Sequence, residues 1–213
     1  HEDCRRQRQM CIRDRNKDNF LQQFQLNPTV GYHPESVERV SHISGEQLRK
    51  AAVVVGLVER EDGLHVIFTK RAAHLKHHPG QISFPGGKHE QSDPSMQFTA
   101  LRELHEEVGI RSDQVKIVGQ LPALSTISKF SVTPIVAMVD PDYKAVIDQN
   151  EVASIFEVPA TYVLDQAKLH SHTVNFKKIK HRVFAMPFEE HLIWGVTAQI
   201  IQSLQQHVVQ QIT

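Results

Sequence analysis

The residues best suited to chemistry lie in one short stretch, Arg102-Glu103-Leu104-His105-Glu106-Glu107. On a helix, Glu103, Glu106 and Glu107 stand at i, i+3 and i+4 and share a face. Left alone they repel one another, at roughly 0.2–0.5 kcal/mol per like-charged pair. They also fall near the helix C-terminus, where the macrodipole disfavours anions. A divalent cation reverses that balance, and carboxylates are the hard oxygen donors that suit Mg²⁺ or Mn²⁺. A solvated acidic face is the plain alternative. Two neighbours favour the cation. Arg102 can grip a carboxylate in its planar fork and fix its direction. Gly86 and Gly87, one helix upstream, let backbone come close to a ligand.

The elements that must position these residues can be traced along the chain. Asp93 is a suitable N-cap and Pro94 suits the first helical position. Gly109 can end the helix in the left-handed conformation. Between them Leu101, Leu104 and Val108 form an apolar stripe to pack on a sheet. Ala51 to Val58 predicts a buried strand, Glu61-Asp62-Gly63 a turn, and His65 to Lys70 a second strand. Residues 72–92 hold several histidines with Pro79, Gly80, Pro85, Gly86 and Gly87, and predict a long functional loop with a short strand near Gln81 to Phe84. Val115 to Leu121 and Val132 to Val139 predict strands. So do His172 to Phe176 and Arg182 to Met186, around a basic turn. Short helices are expected at Asn19 to Leu26 and Val158 to Leu164, a loop at Asn27 to Glu38, and a C-terminal helix at Trp194 to Val209, apolar at Val196, Ile200, Leu204 and Val208. Irregular mixing of strands and helices predicts an α/β (α+β) layered fold rather than a doubly wound parallel sheet. Residues 1–15 are polar, arginine-rich and aperiodic, and are expected to be a tail outside the fold. Residues 16–48 form a lead segment and 49–213 the main domain.

The stretch Gly87 … Arg102-Glu103-Leu104-x-Glu106-Glu107-Val108-Gly109-Ile110 resembles the Nudix box, G-x5-E-x7-R-E-U-x-E-E-x-G-U, where U is a bulky aliphatic residue. The second half matches at every fixed position. In the first half Gly87 precedes Arg102 by 15 positions where the pattern has 14, and the first acidic position is Asp93. Upstream, Ile67-Phe68-Thr69-Lys70-Arg71-Ala72, Lys76, Gly80 and Phe84-Pro85-Gly86-Gly87 resemble the signature of the coenzyme A pyrophosphatase branch, L-L-T-x-R-[SA]-x3-R-x3-G-x3-F-P-G-G. That branch carries the same longer box. Phe68 replaces the second Leu and Lys76 the second Arg. Lysine keeps the charge and loses the fork.

This resemblance implies an α/β/α sandwich with a mixed sheet and a loop–helix–loop catalytic motif. It implies Mg²⁺ or Mn²⁺ as cofactor, with Glu103 and Glu107 as principal ligands and Glu106 as third ligand or base. Arg102 would orient Glu103. Arg71, Lys76, Phe84, Gly86 and Gly87 would meet substrate. The implied reaction is hydrolysis of CoA or a derivative to adenosine 3′,5′-bisphosphate and 4′-phosphopantetheine. The chemistry agrees, because attack on a pyrophosphate needs neutralised phosphoryl oxygens and an activated water. ADP-ribose, NADH and dinucleoside polyphosphates are the alternative substrates, and a non-catalytic Nudix-fold binding module is a lesser one. Glu151 is a candidate extra base or ligand, against a solvated residue at a strand start. Lys177, Lys178, Lys180, His181 and Arg182 read first as a solvated hairpin turn, and second as a seat for the 3′-phosphate.

Composition narrows the rest. The 24 basic and 24 acidic residues balance, so no chain-wide nucleic-acid footprint is expected. No apolar run reaches the ~18–20 residues of a membrane helix. Cys4 and Cys11 are the only cysteines, too few for a disulfide framework, which suits a reducing, cytoplasmic setting. The 14 histidines leave a histidine-based metal or interaction protein as a distinct alternative. A small-molecule substrate is the expected partner, and a homodimer is compatible with the sequence. No P-loop, G-x-G-x-x-G or H-E-x-x-H pattern is present.

Overall fold

The structure, a computed structural model, describes residues 17–43, 45–176 and 179–208. The expected tail, Cys4, Cys11, Lys177 and Lys178 lie outside the described residues.

A long valine-rich strand, β1 (Arg49–Arg60), organises the main sheet. A tight turn after Arg60 returns the chain antiparallel as β2 (Gly63–Arg71), with Arg60 opposite Gly63. The other side of β1 pairs in parallel with β7 (Phe130–Val139), from Arg49 opposite Phe130 to Val58 opposite Val139. Beyond β2 lies β8 (Val152–Pro159), paired with it from His65 to Arg71, while β3 (Ile82–Ser83) pairs Thr69 and Lys70 of β2 on the side of β1; β5 (Val115–Gln120) lies beyond β7. Two short strands, β4 (Gly86–Lys88) and β6 (Leu124–Ser125), add to β1 and β7. The sheet is therefore mixed, and β1 is buried on both faces as its unbroken apolar run requires.

Strand periodicity sorts the core into two layers. Ala51, Val55 and Leu57 of β1 and Val132, Val136 and Met138 of β7 face one cluster. Ala52, Val54 and Val58 of β1 and Ile135, Ala137 and Val139 of β7 face the other. The second cluster is covered by α3 (Met96–Val108) through Ala100, Leu104 and Val108. Leu104 and Val108 are essentially fully buried, and a leucine-sized side chain so placed contributes roughly 1.5–3 kcal/mol. The first cluster is covered by α5 (Val196–Val208), with Ile200, Ile201 and Leu204 inside. Helices on both faces of a mixed sheet make the expected α/β/α sandwich.

The lead segment is part of this packing. Phe20 and Phe24 of α1 (Lys17–Leu26) join the first cluster. His207 on α5 is buried and faces the Phe24 carbonyl at 2.8 Å and the Pro28 carbonyl at 3.2 Å.

Several expectations need correction. The helix of the acidic stretch is capped by Ser95, whose hydroxyl accepts the Phe98 N–H at 3.1 Å, and Asp93 is engaged elsewhere. Its buried face begins at Thr99 and Ala100, with Leu101 only partly covered. The expected loop at 27–38 ends in α2 (Pro34–Glu38), where Pro34 takes the first turn and the His33 ring accepts the Glu35 N–H. Residues 158–164 split between β8 (Val152–Pro159), antiparallel to β2, and the single turn α4 (Ala160–Val163). β8 escaped notice because most of its residues are half-buried and show no clean alternation. Beyond the hairpin β9 (His170–Phe176) and β10 (Ile179–Phe188), a third strand β11 (His191–Trp194) takes up Trp194, and α5 starts after Gly195.

Candidate active site

The Phe84-Pro85-Gly86-Gly87 loop is strapped to β1. The Val54 N–H donates to the Pro85 carbonyl at 2.8 Å, and β4 sets Gly86 opposite Val53 and Gly87 opposite Ala52. Gly86 is demanded by backbone geometry, and Gly87 leaves room for a carboxylate. Gly86 has φ +149°, and a side chain there would strike the Ala52 carbonyl and the Val53 Cα. A methyl on Gly87 would land on the Glu103 carboxylate. The Gly86 N–H donates to Glu107 Oε2 at 2.9 Å. Loop backbone and helix carboxylates thus meet face to face.

The C-terminus of α3 is held by a loop that sequence reasoning passed over. Val146 N–H donates to the Val108 carbonyl at 2.9 Å and Asp148 N–H to the Glu107 carbonyl at 3.0 Å. These bonds satisfy orphan carbonyls of the last turn. The same loop leads to Glu151, exposed just before β8.

Arg102 is the hub of the charges. Its Nε and Nη2 donate to Asp93 at 3.0 Å each, a bidentate grip. Its Nη1 donates to Glu103 at 3.0 Å and Glu106 at 2.8 Å, and Nη2 also to the Lys88 carbonyl at 2.9 Å. Asp93 also accepts from the Thr99 hydroxyl and the Glu90 N–H. The Arg102 bonds hold its carboxyl well below the usual carboxylate range, overriding its burial.

The remaining carboxylates are different. Burial pushes Glu107 up to about 7, and Glu151 and Glu103 add to that, while the Gly86 N–H and Arg71 oppose it. Arg71 Nη1 stands 3.9 Å from Glu107 Oε1. Burial also raises Glu103, with Arg102 opposing and Glu106 and Glu151 reinforcing. Glu106 is turned to Arg102 and is 56% exposed. Among the described residues no three His, Cys, Asp or Glu side chains already converge as a cage. Yet Glu103 and Glu107 are adjacent, hard-oxygen, incompletely neutralised groups, and a divalent cation such as Mg²⁺ or Mn²⁺ fits that donor set.

A cleft of about 450 Å³ opens beside these groups. Arg71 and Gly86 line it next to Glu107, and Phe84 closes its floor. Arg39, Ile127, Arg182, Trp194 and Gln199 line it as well. Of the expected substrate-binding residues, Arg71, Phe84 and Gly86 are brought together there, and Gly87 sits against Glu103. Lys76 is exposed and does not line the cleft. Of the basic hairpin, Arg182 faces the cleft while its Nε donates to Glu35 at 3.2 Å. Sequence reasoning missed Arg39, a lone arginine just past the segment expected to be loop, and Ile127, in a turn. Trp194 was expected only as the first residue of the C-terminal helix, without a role in a site.

A carboxylate-bearing helix packed against a glycine loop on a mixed sheet, with helices on both faces, defines the class. The NUDIX domain family matches residues 47–184, and the chain belongs to that family. It is 38% identical over 188 residues to the protein named Uncharacterized Nudix hydrolase NudL of Enterobacter sp. (strain 638), covering 88% of this chain and 92% of that protein. It is 38% identical over 189 residues to the protein of the same name from Yersinia pestis (strain Pestoides F), covering 89% and 93%. The NUDIX domain of Shewanella oneidensis NrtR, solved with ADP ribose, has a TM-score of 0.49 at 16% identity, covering 81% of this chain and 98% of that one. The protein is thus a Nudix hydrolase, a family that generally uses divalent metals and small-molecule substrates. Among the described residues no helix is long and apolar enough to cross a membrane.

Proposed function

We propose that the protein hydrolyses the pyrophosphate bond of CoA or a CoA derivative, releasing adenosine 3′,5′-bisphosphate and 4′-phosphopantetheine or its acylated form. One observation carries this reading. Arg71, Phe84 and Gly86, which bear the likeness to CoA pyrophosphatases, line one cleft, and Arg71 and Gly86 both reach Glu107 there.

In this reading Glu103, Glu106 and Glu107 hold Mg²⁺ or Mn²⁺. The bound ion supplies neutralisation of phosphoryl charge and acidification of water. The chain's own residues do the rest. Arg102 fixes Glu103 and Glu106 through Nη1. Gly86 fixes Glu107 through its N–H. Arg71 presents a guanidinium to the pyrophosphate oxygens. The attacking water loses its proton to a carboxylate of the cluster, for which Glu106 and Glu151, its exposed members, are placed. The water oxygen bonds to phosphorus as the bridging P–O bond breaks. We place this activity in the cytoplasm.

Lys76 favours a second reading. It lacks the arginine fork and stands off the cleft wall, so ADP-ribose, NADH or dinucleoside polyphosphates compete as substrates. Product analysis with CoA and each of these, with Mg²⁺ or Mn²⁺, decides. CoA is expected to be cleaved fastest. Glu107→Gln is expected to lower turnover about 10²- to 10⁴-fold, the usual worth of a positioned acid–base group. Faster cleavage of another substrate would overturn the CoA assignment, and unchanged turnover in Glu107→Gln would overturn the site.

A further inference from the structure

We propose that Arg39 is a specificity-determining residue, receiving a phosphomonoester that the substrate carries outside its pyrophosphate. The inference rests on the reading above that the substrate is a nucleoside diphosphate derivative of the CoA class. Arg39 directly follows α2, in the lead segment and outside residues 47–184, and it lines the same cleft as Arg71 and Gly86.

Most other arginines among the described residues are engaged: Arg71 faces Glu107 at 3.9 Å, and Arg49, though it too lacks a carboxylate, donates to the Ser128 carbonyl and stacks on Phe130. Arg60, Arg102 and Arg111 each hold a carboxylate at 3.0 Å or less. Arg182, on the same wall, is held by Glu35 and by the Ser171 hydroxyl. Arg39 has no carboxylate partner among the described residues, and its Nε is buried without a hydrogen bond. A buried donor left unmade is costly, and a cation without a counter-charge more so. Burial also lowers the Arg39 proton affinity, a penalty that an anion would reverse. Among the described residues the ion-pair partners of Glu103, Glu106 and Glu107 are Arg102 and Arg71, and no ion pair joins Arg39 to them, so its guanidinium is free for another group.

The chemistry of that group follows from the donor. A guanidinium offers parallel N–H bonds that match a phosphate dianion. The cleft beside it is flanked by Ile127 and Trp194, large apolar side chains 57% and 45% exposed. Such surfaces accept a flat base or an aliphatic chain. A nucleotide carrying a second phosphate on its ribose presents both features.

The test uses a pair of probes that differ only in that phosphate. Binding of adenosine 3′,5′-bisphosphate and of AMP to the full chain is measured by calorimetry, with Mg²⁺ present. The wild type is expected to prefer the bisphosphate by about ten- to a hundred-fold, the worth of a charge-assisted hydrogen bond. Arg39→Gln is expected to bring that ratio towards one, and Arg39→Lys to restore part of it. A merely structural role for Arg39 would weaken both ligands alike. A wild type without preference, or an Arg39→Gln protein that keeps it, overturns the inference. If Arg39→Gln does not fold, Arg39→Lys decides: a several-fold smaller ratio supports the assignment, and an unchanged one overturns it. CoA turnover is read separately. CoA cleavage with an unchanged ratio leaves the proposed function standing and removes Arg39. A collapsed ratio without CoA cleavage does the reverse.

Discussion

Asp93 and Glu107 make an instructive pair. Asp93 lies just ahead of α3 and Glu107 in its last turn, and their side chains are almost equally buried, at 1% and 5% exposed. Burial alone would raise both. Asp93 instead lies far below the usual carboxylate range, because Arg102, Thr99 and the Glu90 N–H all donate to it. Glu107 receives one backbone N–H and a guanidinium 3.9 Å away, and is pushed up to about 7. Glu157 repeats the Asp93 solution. Burial raises it, yet Arg60, at 2.6 and 2.9 Å, and the Tyr143 hydroxyl, at 2.7 Å, bring it below its ordinary value. The fold therefore neutralises buried carboxylates where they are structural. At Glu107 it leaves the charge for something else to balance.

Removing the guanidinium from the satisfied member gives the largest stability effect. Arg102→Ala leaves Asp93 a buried charge without its counter-ion, held only by the Thr99 hydroxyl and the Glu90 N–H, and is expected to cost about 3 kcal/mol in denaturant unfolding. Arg102→Lys should fall between, since it keeps charge without the fork. A loss below about 1 kcal/mol would show that Asp93 is not held as a buried anion, and the contrast with Glu107 would collapse.

The unsatisfied member predicts a pH dependence of opposite sign. The folded-state value of Glu107, about 7, lies above its ordinary 4.5. Between those values the folded state binds more protons than the unfolded one, so stability falls as pH rises. The contribution is fully present below about 4.5 and lost through about 7. For the metal-free protein the loss amounts to about 3 kcal/mol. Glu103 is shifted in the same direction, whereas the contribution of Asp93, a depressed group, is lost only at more acid pH. Unfolding curves in chelator should thus steepen downward from pH 5 to 8. Glu107→Gln should flatten that slope, and Mg²⁺ should restore stability by binding the folded state. A wild-type slope unchanged by Glu107→Gln would mean that Glu107 is already neutralised.

The sequence made the two poles of this contrast unequally visible. Glu103, Glu106, Glu107 and Arg102 were legible because helical spacing fixes which of them share a face. The sandwich was legible because β1 and the 132–139 segment are long, apolar and β-branched. Asp93 was misjudged as a cap, since a local rule for helix starts cannot see that Arg102 will reach back across two turns. β8 was missed because a half-buried strand leaves no clean alternation, and β11 because its exposed positions, Leu192 and Trp194, are themselves apolar. Arg39 and Ile127 were illegible in principle. Their importance comes from which wall they line, a tertiary fact that no local spacing encodes.

Glu106 is expected to give the smallest stability effect. Its carboxylate is 56% exposed and bonds Arg102 across one helical turn, and an exposed i,i+4 pair of this kind contributes about 0.3–0.5 kcal/mol. Loss of that bond is partly offset, because Glu106 repels Glu103. Glu106→Gln should therefore unfold within about 0.5 kcal/mol of wild type in chelator. Turnover should nonetheless drop, if this carboxylate is ligand or base, and the drop should lie in kcat rather than KM. A variant unchanged in both would confine the working acidic cluster to Glu103, Glu107 and Glu151. That would make Glu106 a counterweight to Arg102, closer in kind to the structural carboxylates than to the reactive ones.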